Sequence, residues 1–305
     1  MKYLKIYCLF LILLFSGGMI SAEAKLRVVA SIPDLADMAR IIGGNNVKVI
    51  CLTTGREDLH AVPVRPSFIP KLNRADLLLN LGLDAEHAWL PGIVNESRNP
   101  KVMESGSGWI EVNKGIEILD RPKKFDRAEG HQHPLGNPHY NVGPQCGKHM
   151  AKNIAAAFIQ NDPDNSQPYQ TNLASYLKRI ETLERELMEA GKPLNDIAVI
   201  SYHEDVSYLC HFYGLKKVGA IEPKPGIEPS TRYLSDLVNI IKQKHVQLII
   251  YNQAQNPKLP ESLARRTGTS AVQFANTAGA KPEIQTWIDL QRYNLKVLLK
   301  GINGR

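Results

Sequence analysis

The chain is short of the residues that most readily announce a chemistry. Its 305 residues hold four cysteines, and none forms a CxxC pair, which excludes a thiolate zinc cage of the usual spacing. HExxH and EF-hand loop patterns are also missing, so neither the helical zinc-protease motif nor a calcium loop competes for a metal. No run of five basic residues occurs, and the formal net charge of +7 is spread along the chain. Such a diffuse surplus argues against a nucleic-acid partner. Past the N-terminus, no stretch approaches the roughly 20 apolar residues that span a bilayer as a helix.

What the N-terminus does contain is an ordered signal. Lys2 and Lys5 precede the apolar run Ile6–Phe15, and Ala22-x-Ala24 supplies a small-x-small cleavage pattern. This order reads as a secretory signal peptide over residues 1–24, giving a soluble, exported protein of the periplasm. Cys8 lies inside the apolar run, so it does not read as a lipidated cysteine. Of the remaining cysteines, Cys51 falls in a strand pattern and reads as a buried thiol. A Cys146–Cys210 bridge is left open by an oxidising compartment.

Short apolar runs alternate with helix-length segments in two series. Leu26–Ile32, Val47–Leu52 and Leu77–Leu81 read as strands, with helices at Pro33–Ile42 and Ser67–Arg74. Ile197–Ser201, Lys217–Ile221, Gln247–Tyr251 and Ala271–Phe274 form the second set of strands. Helices are expected there at Glu204–Tyr213, Ser230–Lys244, Pro257–Thr267 and Glu283–Lys300. Strands apolar on both faces imply parallel sheets covered by helices on both sides.

Between the series, Leu173, Tyr176, Ile180, Leu183 and Leu187 recur in steps of three and four, one stripe of a helix over Asp164–Ala190. Its length, about 40 Å at 1.5 Å per residue, suits a single rigid connector. The fold class is therefore α/β: two doubly wound lobes joined by one long helix. The expected divisions are residues 25–160, 161–193 and 194–305. The polar stretch Asp120–Gly136 reads as a loop.

Among nine histidines, three share an architectural place. His60 follows the second strand, His139 closes the turn-rich segment HPLGNPHY, and His203 directly follows the strand IAVIS. Loops at the carboxyl ends of parallel strands are where such sheets collect ligands, and neutral imidazole suits zinc and other borderline metals. His87, His149, His211 and His245 read as solvated or packed.

The segments VVASIPDLADMARIIGG, GREDLHAVPVRPSFIPKLNRADLLLNLGLDAE, HPLGNPHYNVGP and SYHEDVSYLCHFYGL with IEPKPGIEPS together resemble the cluster A-I substrate-binding proteins of metal-specific ABC transporters. The likeness runs from Arg27 to about Gly301. It implies capture of a divalent transition metal between the lobes and delivery to an ABC permease in the cytoplasmic membrane, by a monomer that is not an enzyme. It matches His60, His139 and His203 to the family's histidine ligands. The usual C-lobe carboxylate is replaced at the matching place by Asn276, so Asn276, Glu204 and Glu228 are the candidates for a fourth ligand, with water as the alternative. Of the family's histidine-rich loop only His131 and His133 remain, as a metal-collecting pair. Three histidines favour Zn2+ over Mn2+, which prefers oxygen donors. Two alternatives stand beside this: a zinc hydrolase with Glu204 as base, and an adhesin-like surface protein on the same fold.

Overall fold

The computed structural model describes residues 25–122, 133–224 and 226–304. The leader, residues 1–24, and His131 lie outside the described residues. No helix among those described is long and apolar enough to cross a membrane.

The first lobe is built from β1 (Leu26–Ala30), α1 (Pro33–Gly43), β2 (Val47–Cys51), α2 (Phe68–Asn73), β3 (Leu77–Asn80), α3 (Leu90–Ser97), β4 (Trp109–Glu111) and α4 (Gly147–Asn161). Its four strands pair in parallel in the order β2-β1-β3-β4. Every residue of β3 is buried, as a central strand covered on both faces requires. Proline in the first turn of α1 costs nothing, since its missing N–H would have had no helical partner.

The second lobe repeats that plan. β5 (Ala198–Ser201), α6 (Ser207–Tyr213), β6 (Lys216–Ala220), α7 (Thr231–Gln243), β7 (Leu248–Tyr251), α8 (Lys258–Thr267) and β8 (Ser270–Gln273) give the parallel order β6-β5-β7-β8. Each sheet thus reverses its winding beside its first strand, the switch point where open α/β sheets place ligands. Ser230 caps α7 as its position suggests, accepting a hydrogen bond from the Tyr233 N–H at 3.2 Å. The closing helix, α9 (Trp287–Asn303), starts four residues later than the pattern suggested. A reciprocal capping box of Thr286 and Asp289 sets that start.

The connector is α5 (Ser166–Gly191), packed on α1 and α4 of the first lobe and on α6 and α9 of the second. Its buried face carries Tyr169, Tyr176, Ile180, Leu183 and Leu187, with Leu173 partly buried at its edge. One apolar cluster runs without interruption from β1 through this face to Trp287 and Leu298. Cys146 and Cys210 are buried free thiols, with no bridge between them.

Candidate metal site

The loops that reach the cleft are aimed by their own hydrogen bonds. After β3 the backbone takes three consecutive left-handed residues, Gly82, Leu83 and Asp84, with φ of 71°, 54° and 60°. This conformation is rare for residues bearing a Cβ. At Gly82 a Cβ would also lie 2.7 Å from the Glu111 carboxylate. The turn delivers two groups. Glu86 is buried and accepts from Ser31 Oγ and the Leu81 N–H, and Ala85 offers its carbonyl to His60 Nδ1 at 3.0 Å.

That bond fixes the His60 tautomer. Nδ1 must carry the proton it donates to Ala85, so Nε2 presents a bare lone pair. The backbone N–H of His60 donates to Asp58 Oδ1 at 2.9 Å, holding the loop. His139 enters from the start of a one-turn 3-10 segment, Tyr140–Val142. Its own N–H donates to Asn137 Oδ1 at 2.9 Å. The two Nε2 atoms stand 3.1 Å apart. His203 directly precedes the 3-10 turn Glu204–Val206 after β5. Its ring centroid lies 5.7 Å from that of His60 and 5.5 Å from that of His139, and its Nδ1 bonds Glu222 Oε2 at 2.7 Å. His60 and His139 belong to the first lobe and His203 to the second, and all three line one cavity of about 190 Å³.

Burial sets the protonation of the first pair. Desolvation, then the nearby His203, lowers the His60 pKa to about 4. Burial, then the neighbouring His60, His203 and His133, lowers that of His139 well below the usual imidazole range. Both rings are therefore neutral and ligand-competent at pH 7. His203 differs. Burial pushes its pKa down, but the Glu222 hydrogen bond and the Asp205, Glu222 and Glu204 charges outweigh this and raise it.

The remaining candidates separate clearly. Asn276 lines the cavity, but its Oδ1 accepts from Gln253 Nε2 and its backbone carbonyl accepts from Asn141 Nδ2 at 2.8 Å. Glu204 is paired with Lys217 and its side chain is 39% exposed. Neither it nor the exposed Glu228 lines the cavity. His133 does come to the site: its ring centroid is 4.9 Å from that of His60, and potential ligand atoms of His60, His133 and His139 lie within 4.8 Å of one another.

Two groups on the wall were not singled out from the sequence. Glu222 sits just past β6, the counterpart of β2, and carries the proton partner of His203. Asp205, two residues beyond His203, is buried, with Oδ2 accepting from Asn252 Nδ2 at 2.6 Å. Both follow strand ends, the only sequence signal that marked them.

The family model of the periplasmic zinc-uptake complex component A, ZnuA, matches residues 28–301. The chain belongs to that family, one of metal-binding, solute-binding proteins of ABC transporters rather than of enzymes. Among curated relatives, the high-affinity zinc uptake system protein ZnuA of Bacillus subtilis (strain 168) is 24% identical over 291 residues, covering 92% of this chain and 89% of that protein. The manganese ABC transporter substrate-binding lipoprotein PsaA of Streptococcus pneumoniae is 23% identical over 293 residues, covering 93% and 91%. Solved structures agree on the fold. A zinc-bound deletion mutant of ZnuA is 25% identical with a TM-score of 0.74, covering 92% of this chain and 97% of that one. A manganese-bound mutant of the periplasmic metal-binding protein from Candidatus Liberibacter asiaticus is 20% identical with a TM-score of 0.76, covering 91% and 100%.

Proposed function

We propose that this chain captures Zn2+ between its lobes through His60, His139 and His203 and, exported to the periplasm as a monomer, delivers it to an ABC permease for import. One observation carries the reading. Ligand nitrogens at about 2.05 Å from a tetrahedral zinc are about 3.3 Å apart, and His60 Nε2 and His139 Nε2 stand at 3.1 Å. The tautomer imposed by Ala85 makes His60 Nε2 the acceptor of a hydrogen bond from His139 Nε2, and an ion on that edge would replace this one hydrogen bond with two metal–nitrogen bonds. Nitrogen donors suit zinc better than manganese. The family includes relatives named for either metal.

His133 fits the collecting role expected of the loop histidines. With His60 and His139 it completes a group held by the first lobe alone, able to take an ion before His203 of the second lobe engages. The hydrolase reading loses its base, because the Glu204 carboxylate is held by Lys217 away from the cavity.

The test is zinc and manganese titration of metal-stripped protein, by calorimetry and by competition with a chelator. One zinc per chain is expected, bound more tightly than manganese, and His→Ala at position 60, 139 or 203 should weaken it at least 100-fold, the upper end of what losing an outer partner costs. No zinc uptake, or tighter manganese binding, would overturn the proposal.

A further inference from the structure

Three neutral imidazoles leave a divalent ion with its full charge and one tetrahedral position to fill. Three carboxylates line the cavity: Asp58, Asp205 and Glu222. Two are committed. Asp58 Oδ1 accepts the His60 N–H at 2.9 Å within its own turn, and Glu222 Oε2 accepts from His203 Nδ1 at 2.7 Å and from the Gly226 N–H at 3.2 Å.

Asp205 is different. It is 1% exposed, and only Oδ2 is engaged, by Asn252 Nδ2 at 2.6 Å. Its Oδ1 is buried with no hydrogen-bond partner among the described residues. A buried carboxylate oxygen left without a donor is costly, and the cavity that Asp205 helps to line carries three histidines and no lysine or arginine. A divalent cation is the partner that such a neighbourhood lacks.

We propose that Asp205 supplies the fourth ligand to the captured ion, through Oδ1, so that the second lobe contributes the pair His203 and Asp205 from the single loop after β5. This inference rests on the receptor reading above. It moves the carboxylate from the loop after β8, where Asn276 stands, to the loop after β5. Each lobe then supplies two ligands, and one negative charge offsets half of the ion's charge. Asn252, by holding Oδ2, positions the carboxylate and leaves Oδ1 to the metal.

The experiment compares unsubstituted protein, Asp205→Asn and His139→Ala, each metal-stripped, for Zn2+ affinity and for the visible spectrum of bound Co2+. Asparagine keeps an oxygen for Asn252, so the metal-free melting temperature should change little. Asp205→Asn should weaken Zn2+ by more than about 100-fold, beyond what losing an outer partner costs, and should shift the Co2+ ligand-field bands. Unchanged affinity, or weaker affinity with an unchanged Co2+ spectrum, would overturn the assignment while His139→Ala still confirmed a receptor. Failure of the unsubstituted protein to bind Zn2+ would instead remove the receptor reading and this inference with it. Should Asp205→Asn not fold, infrared difference spectra of unsubstituted protein labelled with carbon-13 aspartate decide the matter. Zinc must then shift one aspartate carboxylate band pair, and no shift refutes the assignment.

Discussion

Glu222 makes His203 unlike its two partners, and the difference is measurable. His60 and His139 lose their protons well below neutrality because burial disfavours the cation. At His203 burial acts the same way, but the carboxylate beside Nδ1 reverses the outcome and raises the pKa. In the proposed site zinc must therefore displace a proton from His203 once the pH falls below that raised value, and affinity should drop about tenfold per pH unit there. Glu222→Gln removes the charge that holds the proton, so burial prevails and the onset of competition moves to lower pH. The variant should bind zinc about 10–100-fold more weakly at pH 8, yet lose less affinity than the unsubstituted protein between pH 8 and pH 6. Titrations at pH 6, 7 and 8 check both parts, and parallel pH profiles would contradict the role given to Glu222. Histidines were legible in the sequence because the turn residues that aim each loop lie beside them. Glu222 was not, because it is 19 residues from His203 and only the pairing of β5 with β6 brings the two strand ends together.

At the scale of elements, α5 was legible almost residue for residue, since a 3.6-residue stripe in a long helix leaves little room for another reading. β4 and α3 were not singled out, for identifiable reasons. β4 has three residues and no buried one, too short for any periodicity. α3 opens Leu90-Pro-Gly, which reads as a turn, although proline is tolerated in a first turn. The packing of α5 gives a contrast to test. Tyr176 is fully buried in the stripe, with the Arg179 guanidinium 5.5 Å from the ring centroid, while its hydroxyl has no hydrogen-bond partner among the described residues. Tyr176→Phe should therefore leave the thermal midpoint unchanged or raise it, because it removes an unsatisfied polar atom. Tyr176→Ala should cost about 3–5 kcal/mol, as loss of a buried aromatic does. Denaturant unfolding of the two variants checks this, and a large loss for phenylalanine would show that the hydroxyl is satisfied in solution.

For the whole molecule, the question is how two lobes stay in register around the proposed site, to which loops of both contribute. The apolar cluster through α5 is one tie, and a buried polar seam is the other. Asp34 of α1 accepts from Thr277 Oγ1 and from the Ala278 N–H, past β8. Asp37, one turn on, accepts from the Trp287 N–H at 2.9 Å, and the indole Nε1 donates to the Asn141 carbonyl at 2.8 Å. Trp287 needs Gly147 opposite it, because a Cβ there would lie 2.2 Å from the indole ring. Such ties suit a receptor whose lobes shift only slightly, leaving capture to the loops. The seam also makes stability depend on pH. Burial raises the Asp34 pKa to about 7 against the opposing hydrogen bonds, above the value near 3.9 of an unfolded aspartate. Between those limits the folded state binds more protons than the unfolded one, so the Asp34 contribution is complete below about pH 4 and is lost as pH rises through about 7. His60 acts in the opposite sense between about pH 4 and 6.5, because its folded pKa is lowered, so the profile of the unsubstituted protein is a sum of opposed slopes. Asp34→Asn isolates one of them. Its stability relative to the unsubstituted, metal-free protein should rise between pH 4 and pH 7, by at most about 1.4 kcal/mol per pH unit. Melting curves across that range test this, and a constant difference would mean that Asp34 is not protonated within the seam.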